Sequence, residues 1–264
     1  MSGENRQQAR SSPLKGWLRD ARIALCFLTH LPVAWPVDGG SVPLATASRA
    51  FPLAGLVVGG LSAMLWLMLS EIGMPAWPAA LLTVGAGILI TGALHEDGLA
   101  DVADGAGAGG DLARRLEIMR DSRIGTFGVV AVILSIGLRT AALTAFADPA
   151  MAAAALVAAH AGGRAFLPMV MALVDHARRD GLSVTAGRPS RRTGWIALGI
   201  GGGLVLAFAG LDAGIPAFAV AALVVAGGAR WAQARLGGQT GDVLGALEQL
   251  AEISILLTLT TLAP

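Results

Sequence analysis

Six apolar runs constrain this chain more than any other feature. They cover residues 51–72, 77–94, 127–147, 151–174, 195–211 and 216–231, and a seventh, 244–262, carries Glu248 and Glu252 in its first turns. A helix of roughly 20 residues crosses a hydrocarbon core of about 30 Å, so each run is close to the length of one crossing. The runs are continuous rather than alternating, which argues against a closed barrel. Glycines such as those of "GIGGG", residues 199–203, would weaken a helix in water but suit close helix contact in lipid. The expected fold is therefore all-α, a polytopic integral membrane helical bundle of about six to seven transmembrane helices. It forms one membrane-embedded domain over residues 1–264.

Composition agrees, with 55% hydrophobic and 14% charged residues. The net charge of +1 and 5% aromatic content give no basic, stacking surface, so no nucleic-acid partner is expected. Cys26 is the only cysteine, which excludes an intrachain disulfide and a thiolate metal cluster. Residues 1–13 are expected to be disordered and residues 14–33 to form an amphipathic helix lying in the membrane interface. On that helix Lys15, Arg19 and Arg22 share one face, while Trp17, Leu18, Ala21, Ala24, Leu25 and Leu28 share another. Arg19, Asp20 and Arg22 interrupt the apolar run and argue against a signal peptide.

Arginine and lysine are placed asymmetrically. If the N-terminus is cytoplasmic, the inner loops hold Arg114, Arg115, Arg120, Arg123, Arg178, Arg179, Arg188, Arg191 and Arg192, besides six basic residues before Phe51. The loops near Gly73, Asp148 and Asp212 hold none, as the positive-inside rule requires. Every polar motif then falls on one side of the membrane.

The most conspicuous motif is "HEDGLADVADGAGAGG", residues 95–110. If the second run continues as a helix, Asp97, Asp101 and Asp104 stand at i, i+4 and i+7 on one face, with neighbouring Cβ atoms about 5–6 Å apart. Carboxylates so placed repel one another without a cation, and hard oxygen ligands suit magnesium or manganese, which commonly add substrate phosphate oxygens. The spacing reads as a diphosphate-binding site, or alternatively as a solvated acidic helix end followed by a linker. Downstream, Arg120 and Arg123 with Ser122 fit either a phosphate clamp or ordinary positive-inside flanking. In "GGQTGDVLGALEQLAE", residues 237–252, Thr240 or Asp242 can cap the last helix, with its free N–H groups offered to an anion or merely satisfied. Within the runs, His160 and Arg164 stand at i, i+4 in the fourth and Arg139 lies in the third. A central charge costs on the order of 2.5–3.5 kcal/mol on insertion scales, so these groups should face the bundle interior. Arg139 reads as an internal staple, and His160 with Arg164 either as a staple or as the floor of a pocket.

"HEDGLADVADG", "MRDSRIGTFGV" and "GGQTGDVLGALEQLAE", in that order, resemble the cobalamin synthase, or adenosylcobinamide-GDP ribazoletransferase, family of integral membrane enzymes. The likeness runs from "FLTHLPV" at 27–33 through "FPLAGLVVGG" at 51–60 to the last helix. The resemblance implies transfer of adenosylcobinamide-GDP to α-ribazole or its 5′-phosphate, with Mg2+, releasing GMP. It implies a multi-pass protein of the bacterial inner membrane with a cytoplasmic N-terminus and active site. In that reaction Asp97, Asp101 and Asp104, with Glu96 assisting, would hold the metal, and a free carboxylate or His95 would accept the hydroxyl proton. Arg120 and Arg123 would hold phosphates, with Asp121 and Ser122 between them in the substrate site. Gln239, Thr240 and Asp242 would contact substrate, with His160 and Arg164 beneath.

Two other classes compete. A CDP-alcohol phosphotransferase would carry Asp-Gly-x-x-Ala-Arg, but "DGLAD" at 97–101 has Asp101 where the alanine would be, and Val102 follows where the arginine would be. A divalent-cation transporter would continue its polar groups along the spans, and the second and third runs carry no acidic or amide side chain.

Overall fold

The computed structural model describes residues 13–36 and 44–262. The disorder expected for residues 1–13 falls outside the described residues except at Pro13, which begins a helix. That helix, α1, runs Pro13–Leu28 and buries Ile23, Ala24 and Leu28. It ends five residues short of the expected boundary because Pro32 disfavours helical backbone before it. Leu18, on the apolar face of the helix, is exposed, whereas Asp20 is fully buried. Arg49 donates to the Asp20 carboxylate from Nε and Nη2, both at 2.7 Å, and its guanidinium lies 4.1 Å over the Trp17 ring. The charge that interrupts the apolar run is thus the one that anchors α1 to the rest of the chain.

After α2 (Leu44–Ala47) and a 3-10 turn, Ser48–Ala50, come α3 (Phe51–Glu71) and α4 (Ala76–Thr91). The acidic segment does not prolong the second span. Gly92 and Ala93 both take positive φ, 63° and 56°, and turn the chain by 92° into a separate helix, α5 (Leu94–Gly107). Left-handed backbone at Gly92 costs little, at Ala93 more. The bend is held from outside: His30 donates its backbone N–H to Ile90 O at 2.7 Å, and its ring covers Gly92 where a Cβ would meet Cε1 at 2.3 Å.

The remaining helices are α6 (Leu112–Ile118), α7 (Thr126–Ala145), α8 (Pro149–Ala165), α9 (Leu167–Leu173), α10 (Leu182–Ala186), α11 (Arg191–Leu236) and α12 (Gly241–Leu262). Among the described residues five helical stretches are long and apolar enough to cross a membrane, or six if α4 and α5 form one broken span. Alanine-rich α8 is the axis of the bundle, buried on nearly every side against α3, α11 and α12.

Helix α11 would be about 69 Å long if straight, more than twice the thickness of a hydrocarbon core. It is broken at Gly210, where φ is 74° and ψ 173°. A Cβ on Gly202 would stand 3.4 Å from the Phe218 ring, and one on Gly214 would stand 3.3 Å from the Val205 carbonyl oxygen. Residues so far apart along a straight helix cannot touch, so the two arms fold back as a hairpin, matching the separate runs at 195–211 and 216–231. Replacing Gly202 and Phe218 by cysteine in a Cys26→Ser chain should therefore let a short thiol-to-thiol reagent close an intrachain link. No link, with both cysteines reactive, would mean a continuous rod.

Candidate active site

Helix α5 carries carboxylates in three surroundings. Near its start, Glu96 turns inward and accepts from Arg139 Nη2 at 2.9 Å. Near its end, Asp104 is buried and accepts the backbone N–H groups of Gly125 at 2.6 Å and Gly128 at 2.8 Å, which caps α7. Between them, Asp97 is exposed and Asp101 half-buried, and among the described residues neither carboxylate has a hydrogen-bond or ion-pair partner. Asp101 lies in the field of Asp242, Asp97 and Asp104. No three His, Cys, Asp or Glu among the described residues converge closely enough to hold a metal by themselves. The expected four-carboxylate set of Glu96, Asp97, Asp101 and Asp104 is accordingly divided: Glu96 and Asp104 are engaged by the protein, and Asp97 and Asp101 are free.

Opposite the free pair stands the start of α12. Gly98 makes this approach possible, since a Cβ there would sit 2.7 Å from the Asp242 carbonyl oxygen. Thr240 caps α12 by accepting from Val243 N at 3.2 Å. Gln239 is fully buried and bridges the 174–177 segment, donating its N–H to Asp175 O at 2.8 Å and accepting from Ala177 N at 2.9 Å. These two residues thus position the segment, and the half-buried Asp242 carries its charge. Asp242 is paired with Arg178, which sequence spacing did not single out.

The middle motif reaches this rim through one residue only. Arg120 Nη2 binds Asp180 Oδ1 at 2.5 Å, beside the Arg178–Asp242 pair. Asp121 and Arg123 pair with each other at 2.6 Å on the exposed loop, the arginine holding the Asp121 carboxyl down at about 2, and Ser122 is exposed between them. Arg123 and Asp121 line a different cleft, next to Asp104.

Asp97, Asp242 and His95 line a largely apolar cleft between α1, α3, α5, α9, α10 and α12. His95 is buried; its Nδ1 lies 3.4 Å from both Glu248 Oε2 and Arg164 Nη2, and its Nε2 has no partner. Behind it lies a buried charge network. Arg164 Nη1 contacts Glu248 Oε1 at 2.6 Å, His160 Nδ1 lies 2.8 Å from Glu252 Oε2, and Glu252 Oε1 accepts from Arg139 Nη1 at 3.2 Å. His160 and Arg164 therefore do not line the cleft; they are 5% and 1% exposed and tie α8 to α12.

A family model for cobalamin-5-phosphate synthase matches residues 20–260. The chain belongs to that family. Proteins named adenosylcobinamide-GDP ribazoletransferase are similar to it along nearly their whole length. That of Bradyrhizobium diazoefficiens is 49% identical, covering 92% of this chain and 94% of its own. That of Mesorhizobium japonicum is 43% identical over 91% and 92%, and that of Sinorhizobium medicae 42% over 90% and 94%. No solved structure matches the chain. As a cobalamin-5-phosphate synthase family member it is a multi-pass membrane transferase.

Glu248 and Glu252 are the residues of this family member that sequence reasoning passed over. The signal was present: both they and the pair His160 and Arg164 are spaced i, i+4 inside apolar runs, so two complementary ladders of equal pitch face each other. Replacing Glu252 by leucine leaves Arg139 with Glu96 as its one close carboxylate, takes the carboxylate from beside His160, and should cost about 3–5 kcal/mol. Asp104→Ala should cost about 1 kcal/mol as a lost cap, and Asp97→Asn less than about 0.5 kcal/mol. Denaturant melts of the detergent-solubilised protein rank the three, and an Asp97→Asn variant as unstable as Glu252→Leu would contradict the division of roles.

Proposed function

We propose that this chain transfers the cobinamide phosphate of adenosylcobinamide-GDP to α-ribazole or its 5′-phosphate. GMP is released and adenosylcobalamin or its 5′-phosphate is formed, a late step of cobalamin biosynthesis. The observation that carries this reading is the pair of unpartnered carboxylates, Asp97 and Asp101, facing Asp242 at a cleft mouth in a member of this family. The basic face of the bundle, with Arg114, Arg115, Arg120, Arg123, Arg178 and Arg179, is taken as the cytoplasmic side of the bacterial inner membrane.

The donor set fits magnesium. Mg2+ is usually held by one or two carboxylates plus substrate phosphates rather than by an all-protein cage, and Asp97 and Asp101 offer two hard, uncommitted carboxyl groups. Bound there, the ion supplies charge neutralisation at the diphosphate. The other functions belong to side chains in place. A ribose hydroxyl of the ribazole attacks the phosphorus bonded to the cobinamide oxygen, the bond from that phosphorus to the bridging oxygen breaks, and GMP leaves. The hydroxyl proton passes to His95 Nε2, which has no competing partner. Arg178 and Arg120 are the cations at the rim, held by Asp242 and Asp180 until phosphate oxygens compete for them.

Purified protein in vesicles, given both substrates, should release GMP only with Mg2+. Asp97→Asn should lower kcat on the order of 10²–10³-fold, the scale of losing one electrostatic contact to a transition state, while its melt stays that of the parent. Parental turnover of that variant at limiting magnesium would sink the metal role. A cysteine placed at Gly110 in the Cys26→Ser chain should react with impermeant thiol reagent only from the cytoplasmic side.

A further inference from the structure

We propose that the groove between α5, the second arm of α11 and α12 binds an anionic phospholipid, with an acyl chain along the groove and the phosphate on Arg115 and Arg235. The site lies on the basic side of the bundle, taken above as cytoplasmic, and does not depend on the transferase reading.

The groove offers about 270 Å³ and is apolar throughout, walled by Leu99, Val102 and Ala106 of α5, Trp231 of α11, and Leu247 and Leu250 of α12 among others. At 3.6 residues per turn, the three α5 residues stand on the face opposite Asp97, Asp101 and Asp104. The groove therefore runs along the back of the helix that carries the free carboxylates. Trp231 and Leu250 are each 38% exposed, so it is open to the surroundings. Its neighbours α11 and α12 are both long and apolar enough to span a membrane, which makes hydrocarbon the medium beside it. Apart from the Trp231 indole N–H, the walls carry no hydrogen-bonding side chain, and a polar ligand or ordered water finds no partners there.

Charge enters at one end. Gly228, Trp231 and Arg235 share one face of α11 at i, i+3 and i+7, and Arg235 stands about 6 Å nearer the helix end than Trp231. Arg115 reaches the same place from α6, donating from Nη1 to the Arg235 carbonyl oxygen at 3.3 Å. Its own carbonyl oxygen would lie 3.2 Å from a Cβ on Gly105, the neighbour of groove-lining Ala106. Arg115 thus links the end of α5 to the end of α11. Arg114, Arg120, Arg123, Arg178 and Arg188 each pair with a carboxylate. Among the described residues Arg115 and Arg235 pair with none, and Arg115 Nε has no hydrogen-bond partner.

Two unneutralised guanidinium groups, then an indole, then an apolar trough follow the order of phosphate, interface and acyl chain in a lipid. Guanidinium forks match phosphate oxygens, tryptophan favours the membrane interface, and basic pockets between membrane helices suit anionic headgroups. A zwitterionic lipid would bring its own cation to the arginines. A soluble phosphate would leave the apolar walls unused.

The probe is phosphatidylglycerol brominated on its acyl chain, a minor component of phosphatidylcholine vesicles holding the full-length protein, set against brominated phosphatidylcholine at the same fraction. Bromine quenches tryptophan on contact, and the Trp231 signal is the difference between parental protein and Trp231→Phe. That signal should be quenched more by the anionic lipid. Arg115→Gln combined with Arg235→Gln should lower the preference about thirtyfold, the scale of removing two basic groups from an anionic headgroup. Ala106→Phe, at an exposed position, should fill the groove and abolish the preference with both arginines in place. Soluble glycerol phosphate at constant ionic strength should not compete. A preference that survives loss of both arginines, or that glycerol phosphate removes, would overturn the proposal. So would a Trp231 signal that neither lipid quenches, which would mean that a second copy or another protein covers the groove.

Discussion

The bundle depends on one buried electrostatic arrangement: Arg139 and Arg164 held among Glu96, Glu248 and Glu252, with His95 and His160 at its edges. Each of these groups alone would be costly in lipid, and removing one leaves another uncompensated. Together they join α5, α7, α8 and α12, four helices from distant parts of the chain. Non-directional packing of alanine and leucine cannot by itself fix the rotation of a helix in lipid, because lipid tails are as apolar as the partner helix. The ion pairs do fix it. They place the inner face of α5 against α12, and the outer face, with Asp97 and Asp101, is thereby aimed at the start of α12 and the cleft.

Rigidity at the site follows from that. A phosphoryl transferase gains most from alignment and preorganised charge. Here the two carboxylates assigned to the metal are free, and the groups that fix their surroundings are many and committed. Gln239 and Thr240 set the position of Asp242, Asp104 sets the start of α7, and the network sets His95. The free carboxylates are accordingly not among the most buried groups.

Fold class was legible in the sequence because a run of apolar residues long enough to cross a membrane has few other uses. The two arms of α11 could be read separately, since Leu211 to Ile215 includes Asp212 and follows Gly210 at the turn. What lay opposite each side chain could not be read. The i, i+4, i+7 spacing of Asp97, Asp101 and Asp104 correctly put them on one helix face, but that face meets α12 at one end and the N-terminus of α7 at the other. Spacing gives a direction, and only the packing gives the neighbour. The 92° bend was hidden for a similar reason: Gly92 marks permission to turn, while the His30 ring that occupies the space comes from 62 residues earlier. Glu248 and Glu252 looked like a defect in the last span because each run was weighed alone.

The place of those two glutamates in the chain bears on biosynthesis. Arg139, His160 and Arg164 enter the membrane well before residues 248 and 252 leave the ribosome. Until the final span arrives, the nascent protein holds cations in the bilayer with Glu96 as their one acidic counterpart in the network. Completion of the last helix is then what converts a poorly tolerated insertion intermediate into a settled one. A message cut short near its end would yield a chain whose earlier spans lack their electrostatic closure, a ready mark for the proteases that clear unfinished membrane proteins.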